Sequence, residues 1–164
     1  AAAATGDPHL QNIFGERFDL MRPGNHVLIH VPRGGRVEEA LLRVEAAARR
    51  LGAQCADMYF QEINVTGAWV EEKYHRGGMG LRFQAQRMHD ETPTWIKLEE
   101  IQVKVTHGRT QQGIHYLNFH VKNLGHTGFE VGGLLGADDH EDAAMPPQDC
   151  IHHLALLQTA ALAE

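Results

Sequence analysis

Gly6-Asp7-Pro8-His9-Leu10-Gln11-Asn12-Ile13-Phe14 opens residues 6–34, whose full text is GDPHLQNIFGERFDLMRPGNHVLIHVPRG, and this stretch decides the reading of the fold. An Asp-Pro pair favours a turn, because proline fixes its own φ and the aspartate side chain bonds nearby backbone amides. Residues 6–14 therefore read as a first strand entered through that turn. Phe18-Asp19-Leu20-Met21 is a short extended piece, and Arg22-Pro23-Gly24-Asn25 has proline and glycine where a type II turn needs them. His26 to Val31 alternates and is rich in β-formers, so the turn and its flanks predict a hairpin that Pro32 ends.

Outward from this stretch, 164 residues are the size of one domain able to bury a substantial core. The expected organisation is a tail over 1–5, a β domain over 6–149 and a terminal helix over 150–164. Net charge is −6, and the 15 Lys and Arg are scattered. That argues against a nucleic-acid or anionic-membrane surface. No run approaches the roughly 18 apolar residues of a spanning helix. Ala1-Ala2-Ala3-Ala4-Thr5 lacks the basic and apolar regions of a signal peptide. An ordered alanine end of this kind needs something to pack against.

Residues 37–51 (VEEALLRVEAAARRL) are ambiguous: their composition is helical, yet Leu42, Val44, Ala46 and Ala48 alternate with other residues. A strand over about 41–49 is the expectation taken forward. Cys55 to Val65 is again rich in β-formers. Residues 71–94 are polar, carry three glycines and show no clean period, which predicts a long exposed loop, a candidate contact surface whose ordinary alternative is a variable insertion. Trp95 to Thr106 has the clearest alternation of the chain, with a slip in phase at Glu99-Glu100 that predicts a bulge or two short strands. A turn at 107–113 then leads into a strand over 114–124, giving a second hairpin. Phe129 to Gly136 reads as a short strand ending in a glycine-rich bend, residues 137–149 as an acidic loop, and residues 150–162 as a helix. The sum is a mainly β protein, an antiparallel β-sandwich of about eight to ten strands with a short C-terminal helix.

Residues 6–34 resemble the opening of the von Willebrand factor type D domain, in which a GDPH tetrapeptide starts the first strand and a G-x-x-F-D step follows, here Gly15-Glu16-Arg17-Phe18-Asp19. A second resemblance lies in Val131-Gly132-Gly133-Leu134-Leu135-Gly136 followed by Asp138-Asp139, which is similar to the family's G-L-C-G-N segment before a calcium loop. The resemblance supports the strand choice at 41–49 and implies a non-enzymatic interaction or structural module outside the cytosol, secreted, on a cell surface or in an organelle lumen. It also implies calcium, which needs several convergent oxygens; Asp138, Asp139 and Asp142 are the candidate ligands, and Glu141 adds to the acidic density. This sequence departs from the pattern at Phe14, where the family has an acidic ligand, at Ala137, where it has asparagine, and at Leu135, where it has cysteine. Of the family's ligands only Asp139 persists, and a simply solvated acidic loop is the ordinary alternative, so no cofactor is the expectation and calcium the one candidate. In some family members the tetrapeptide cleaves itself at the Asp-Pro bond, here Asp7–Pro8 with His9 as the adjacent proton donor; the ordinary alternative is a structural turn.

Residues 15–34 also resemble sequences of proteins from unicellular algae. That implies an alternative, an accessory subunit docked on a larger complex, on the luminal side of a photosynthetic membrane. Either way the expected partners are other protein chains.

Cys55 and Cys150 allow one long-loop disulfide, worth about 4 kcal/mol in the chain-entropy account, or two buried thiols. Asn64-Val65-Thr66 is a glycosylation sequon that Gly67 makes turn-like. Twelve histidines are many, and His26 and His30, four apart, are placed to share a strand face near His9 as a metal site. Ordinary hydrogen-bonded histidines are the alternative. A metal-dependent hydrolase is the weakest reading, since no acid–base pair has a recognisable spacing. No phosphate-binding or nucleophile-elbow motif occurs.

Overall fold

In the computed structural model of the protein, residues 1–52, 54, 57–88 and 93–148 are described. They form ten strands, all paired antiparallel, with two short helices: β1 Ala2–Thr5, β2 His9–Gln11, β3 Arg17–Asp19, β4 Gly24–Val31, β5 Leu42–Arg50, β6 Met58–Thr66, α1 Ala68–Tyr74, β7 Leu81–Gln84, β8 Ile96–Leu98, β9 Ile101–Arg109, β10 His115–Lys122 and α2 Glu141–Ala144. None of the described helices is long and apolar enough to cross a membrane.

Strand β10 is the seam of the molecule. One of its edges is filled by β9, in register from His115 opposite Arg109 to Lys122 opposite Gln102. The other edge is divided. β1 takes Phe119 to Val121, and β6 touches once, Phe60 opposite Leu117. The strands then run outward as β3-β2-β1 from one part of that edge and as β6-β5-β4 from the other, with β7 on β6 and β8 on β9. Period-two side chains from both arms meet in one core: Leu10, Val44, Phe60, Ile63, Val103, Leu117 and Phe119 are all buried. This is the expected mainly β, sandwich-like architecture.

Two bulges tune which side chains reach that core. In β4 the pairing jumps from Val27–Glu45 to Ile29–Val44, so Leu28 is the extra residue and Leu28 and Ile29 are both buried. In β6 the jump from Ala47–Glu62 to Ala48–Phe60 leaves Gln61 unopposed, which is how Phe60 and Ile63, at odd spacing, both point inward. The Gln61 side-chain amide then donates to the His115 carbonyl at 2.8 Å, stitching β6 to β10.

Several expectations need correction. Residues 1–5 are not a tail: Ala2 and Ala4 are buried because small side chains let β1 lie close beside β10. Residues 6–14 are not one strand, since Gly6, Asp7 and Pro8 form the tight loop between β1 and β2, with Thr5 opposite His9. The piece at 17–19 pairs with β2, not with β4, and β4 pairs with β5. The stretch 71–94 is not one long loop. Its described part holds the end of α1 and the edge strand β7, whose Phe83 opposes Ile63. Gly132 meets His30 in an isolated bridge, and the amides of Leu134 and Leu135 donate to the carbonyls of Val27 and Leu28, so residues 131–135 cover the open edge of β4 instead of forming a strand. The slip at Glu99-Glu100, by contrast, does divide two strands as one of its two expected forms: it is the two-residue turn between β8 and β9, with Glu99 at φ 55°. Cys55, Cys150 and the expected terminal helix lie outside the described residues.

Candidate functional site

The β1–β2 loop carries Asp7, Pro8 and His9 to one end of the β3-β2-β1 arm. Its shape is fixed from three sides. Gly6 enters at φ 67° and donates its amide to Asn118 Oδ1 in β10 at 2.8 Å. Asn118 in turn donates to Thr106 Oγ1 in β9 at 3.1 Å. The buried Pro8 offers its carbonyl to the Leu20 amide at 2.9 Å. β10, backed by β9, and the segment just after β3 therefore hold the loop.

On this frame the His9 ring lies between two carboxylates. Its Nε2 is 3.0 Å from Asp7 Oδ1, and its Nδ1 is 2.6 Å from Asp19 Oδ1. Asp19 arrives through the register of β2 and β3, in which His9 and Asp19 are directly opposed. The hydrogen bond to Asp19 raises the His9 pKa, despite a desolvation cost that acts the other way. Burial pushes the Asp7 carboxyl up; His9 opposes that rise, and Asp19 and Asp57 add to it. The arrangement holds an imidazole that favours its proton beside a carboxyl reluctant to lose its own. Such a pair can exchange a proton beside the Asp7–Pro8 bond.

The remaining predicted residues are not gathered into one site. Asp138 Oδ1 accepts from Arg33 Nε at 3.1 Å, and Asp139 Oδ1 accepts from the Glu141 amide at 2.9 Å as the acidic loop turns into α2. Asp142 sits within α2, and its carbonyl accepts from the Met145 amide. Among the described residues no group of three or more His, Cys, Asp or Glu side chains is arranged to hold a metal ion. His26 and His30 do not share a face, because the bulge at Leu28 intervenes, and His9 lies on the other arm of the sheet. His26 Nε2 donates to the Arg22 carbonyl at 2.7 Å, and His30 Nε2 donates to the Gly35 carbonyl at 2.7 Å. His30 Nδ1 then accepts from Arg43, whose Nε pairs with Glu45. Asn64 lies within β6, flanked by β5 and β7, rather than in a turn, and its amide nitrogen donates to Glu62 Oε1 at 3.2 Å.

A feature the sequence did not signal stands at α1. Leu41 and Ala40 accept the first two amides of the helix, Trp69 and Ala68, which fixes α1 beside the entry to β5. Glu71 in its middle turn accepts the amides of Arg76, Gly77 and Gly78 at 2.9–3.1 Å, closing the following loop onto the helix. Those bonds, from Gly78 and Gly77 first, hold the Glu71 carboxyl below its ordinary range. A cleft lies on each side of α1. One is lined by Val37, Glu38, Ala68 and Gly78 among others, and the second by Trp69, Glu99, Glu100, Thr127 and Phe129. Only the summed effect of a short helix, a hairpin turn and a loop from the far end of the chain creates the second cleft, and no local pattern announces it. Compared with known proteins, the chain matches no protein-family model and no curated protein.

Proposed function

We propose that the chain is a non-enzymatic β module of the von Willebrand factor type D kind, acting outside the cytosol through contacts with other protein chains. The observation that carries this reading is the surface around α1. Val37 is 58% exposed and borders one of the two clefts that flank the helix, Phe129 is 48% exposed and borders the other, and Met79, 75% exposed, follows Gly78 of the first. Large apolar side chains grouped around clefts above an already closed core are typical of a contact surface. The likeness of residues 6–34 to type D openings supports the extracytoplasmic placement. An accessory subunit on a larger assembly is the form of this reading that the alternative resemblance favours. Native mass spectrometry of material from its natural source tests it. A fixed-ratio complex with at least one other chain is expected, and a species containing this chain alone overturns the reading.

A second reading rests on the 3.0 Å contact of His9 with Asp7: the Asp7–Pro8 bond breaks itself. In that step the ionised Asp7 carboxylate attacks its own main-chain carbonyl carbon. The C–N bond to Pro8 breaks as the His9 imidazolium delivers a proton to the proline nitrogen, and the resulting cyclic anhydride takes up one water to leave Asp7 with two carboxyl groups. Ionised Asp7 and protonated His9 coexist between their two raised pKa values, so cleavage follows a bell-shaped pH profile within that window. Intact mass after mild acid exposure decides it, because a chain that stays whole through Asp7-Pro8 removes the reading.

A further inference from the structure

The cleft lined by Trp69 and Phe129 has the walls of a cation site. Trp69 is fixed at the second position of α1 by the hydrogen bond that its backbone amide donates to the Leu41 carbonyl at 3.0 Å. Phe129 is fixed by Thr127, whose Oγ1 accepts the Phe129 amide at 3.1 Å, with its own hydroxyl 3.3 Å from the Phe129 carbonyl. The two ring centroids are 6.4 Å apart and tilted by 58°, within the range of an edge-to-face pair, so the rings brace each other while both line the cleft. Glu99 and Glu100, exposed in the tight β8–β9 turn, line the cleft as well. Among the described residues neither carboxylate forms an ion pair or a side-chain hydrogen bond. The nearest basic group given by α1, the Lys73 ammonium, is engaged by the Lys97 carbonyl at 2.7 Å. The cleft measures about 220 Å³, below the roughly 300–1,000 Å³ of small-molecule pockets, so it fits one side chain rather than a whole ligand.

We propose that this cleft receives an arginine side chain of a partner polypeptide. The guanidinium is planar and weakly hydrated, so it stacks against aromatic faces and presents a fork of donors to carboxylates. Two aromatic walls beside two unpaired carboxylates complement both properties at once. An acidic side chain is repelled there, and an aliphatic one leaves the carboxylates without a partner. The net charge of −6 adds long-range attraction for a basic segment. This assignment rests on the protein-contact reading above and names the chemistry of the contact.

The test uses the full chain and Nα-acetyl-arginine methylamide as probe, with the uncharged citrulline analogue as control, followed by ¹H–¹⁵N NMR. Saturable shifts confined to the Trp69 indole and the amides of Glu99, Glu100 and Phe129 are expected with the arginine probe and absent with citrulline. Phe129→Ala, or Glu99→Gln with Glu100→Gln, weakens binding by about fivefold or more. The unchanged spectrum of the β core reports that each variant folds. Equal responses to both probes, shifts spread over the acidic surface, or no loss in the variants overturns the proposal. Should the natural complex form at fixed ratio and persist in the cleft variants, the arginine site falls while the contact reading stands. Should the probe bind while the natural chain is solitary, the contact reading falls instead.

Discussion

At the scale of single residues, His9 is the clearest case of a side chain whose properties come from its neighbours. Its partners Asp7 and Asp19 are both acceptors when ionised, so both ring nitrogens are satisfied by the protonated ring. Asp19→Asn removes the main cause of the raised pKa, and the His9 titration followed by NMR moves down towards its ordinary value. Stability shifts with it. The folded pKa exceeds the unfolded one, so the contribution is fully present below the ordinary 6.5 and is lost as pH rises through the folded value. The stability gap between the native chain and Asp19→Asn therefore closes with rising pH. The pair is exposed, so that gap is at most about 1 kcal/mol in denaturant titrations. Gly133 illustrates a different constraint. It has φ 92°, and a Cβ there would lie 2.5 Å from the Leu28 backbone. Gly133→Ala combines a left-handed backbone with a clash against a strand that cannot move, and the expected loss is about 2–4 kcal/mol. Gly15→Ala, with φ 80° and open space around it, costs only the backbone part, about 1 kcal/mol. Thermal melts of the two variants compare them directly.

At the scale of elements, the junction of β6 with β10 holds the two arms of the sheet together. Phe60 and Leu117 oppose each other there, and both are fully buried. Phe60→Ala is expected to cost about 3–5 kcal/mol, and Leu117→Ala about 2–5 kcal/mol. The two share one contact, so the double variant loses less than the sum of the singles; that non-additivity, measured by urea titration, identifies the junction as one packed unit. The same scale explains what the sequence could and could not disclose. Alternation at Leu42, Val44, Ala46 and Ala48 outweighed a helical composition, because a strand between two neighbours buries every second residue whatever its intrinsic propensity. α1 escaped notice because Val70 alone is buried on it, and one apolar position has no period. The His9–Asp7 contact was legible from adjacency. Its partner Asp19 was not, because opposition across β2 and β3 depends on a register that the expected hairpin with β4 had assigned elsewhere. Trp69 and Phe129 are sixty positions apart, and only the packing of α1 against the β8–β9 side brings them together.

At the scale of the whole molecule, the balance of titrating groups sets how the fold responds to acid. Burial lowers the pKa of His26, with the bond to the Arg22 carbonyl acting against it, and burial together with Lys104 lowers that of His120. Both rings are thus neutral in the fold at pH values where the unfolded chain protonates them. Their contribution is present above the ordinary 6.5 and is lost as pH falls through the folded values. His9 works in the opposite sense, gaining as pH falls through its raised value, but its ring is exposed and its share is small. Glu62 belongs to a lower window. Its bond to Arg82 holds its pKa below 4.5, so that contribution survives until the medium is more acid than its ordinary range. The denaturation midpoint is therefore expected to fall between about pH 7 and pH 5, ahead of any loss from the carboxylates. Replacing His26 and His120 together by glutamine removes the two groups responsible and flattens that limb while leaving the steeper decline below it. A native chain with no slope between those values, or a double variant that keeps it, assigns the acid response elsewhere. The outcome also bears on where the protein works. A fold that yields its first stability through half-buried histidines tolerates a mildly acidic compartment only by the margin of its core packing.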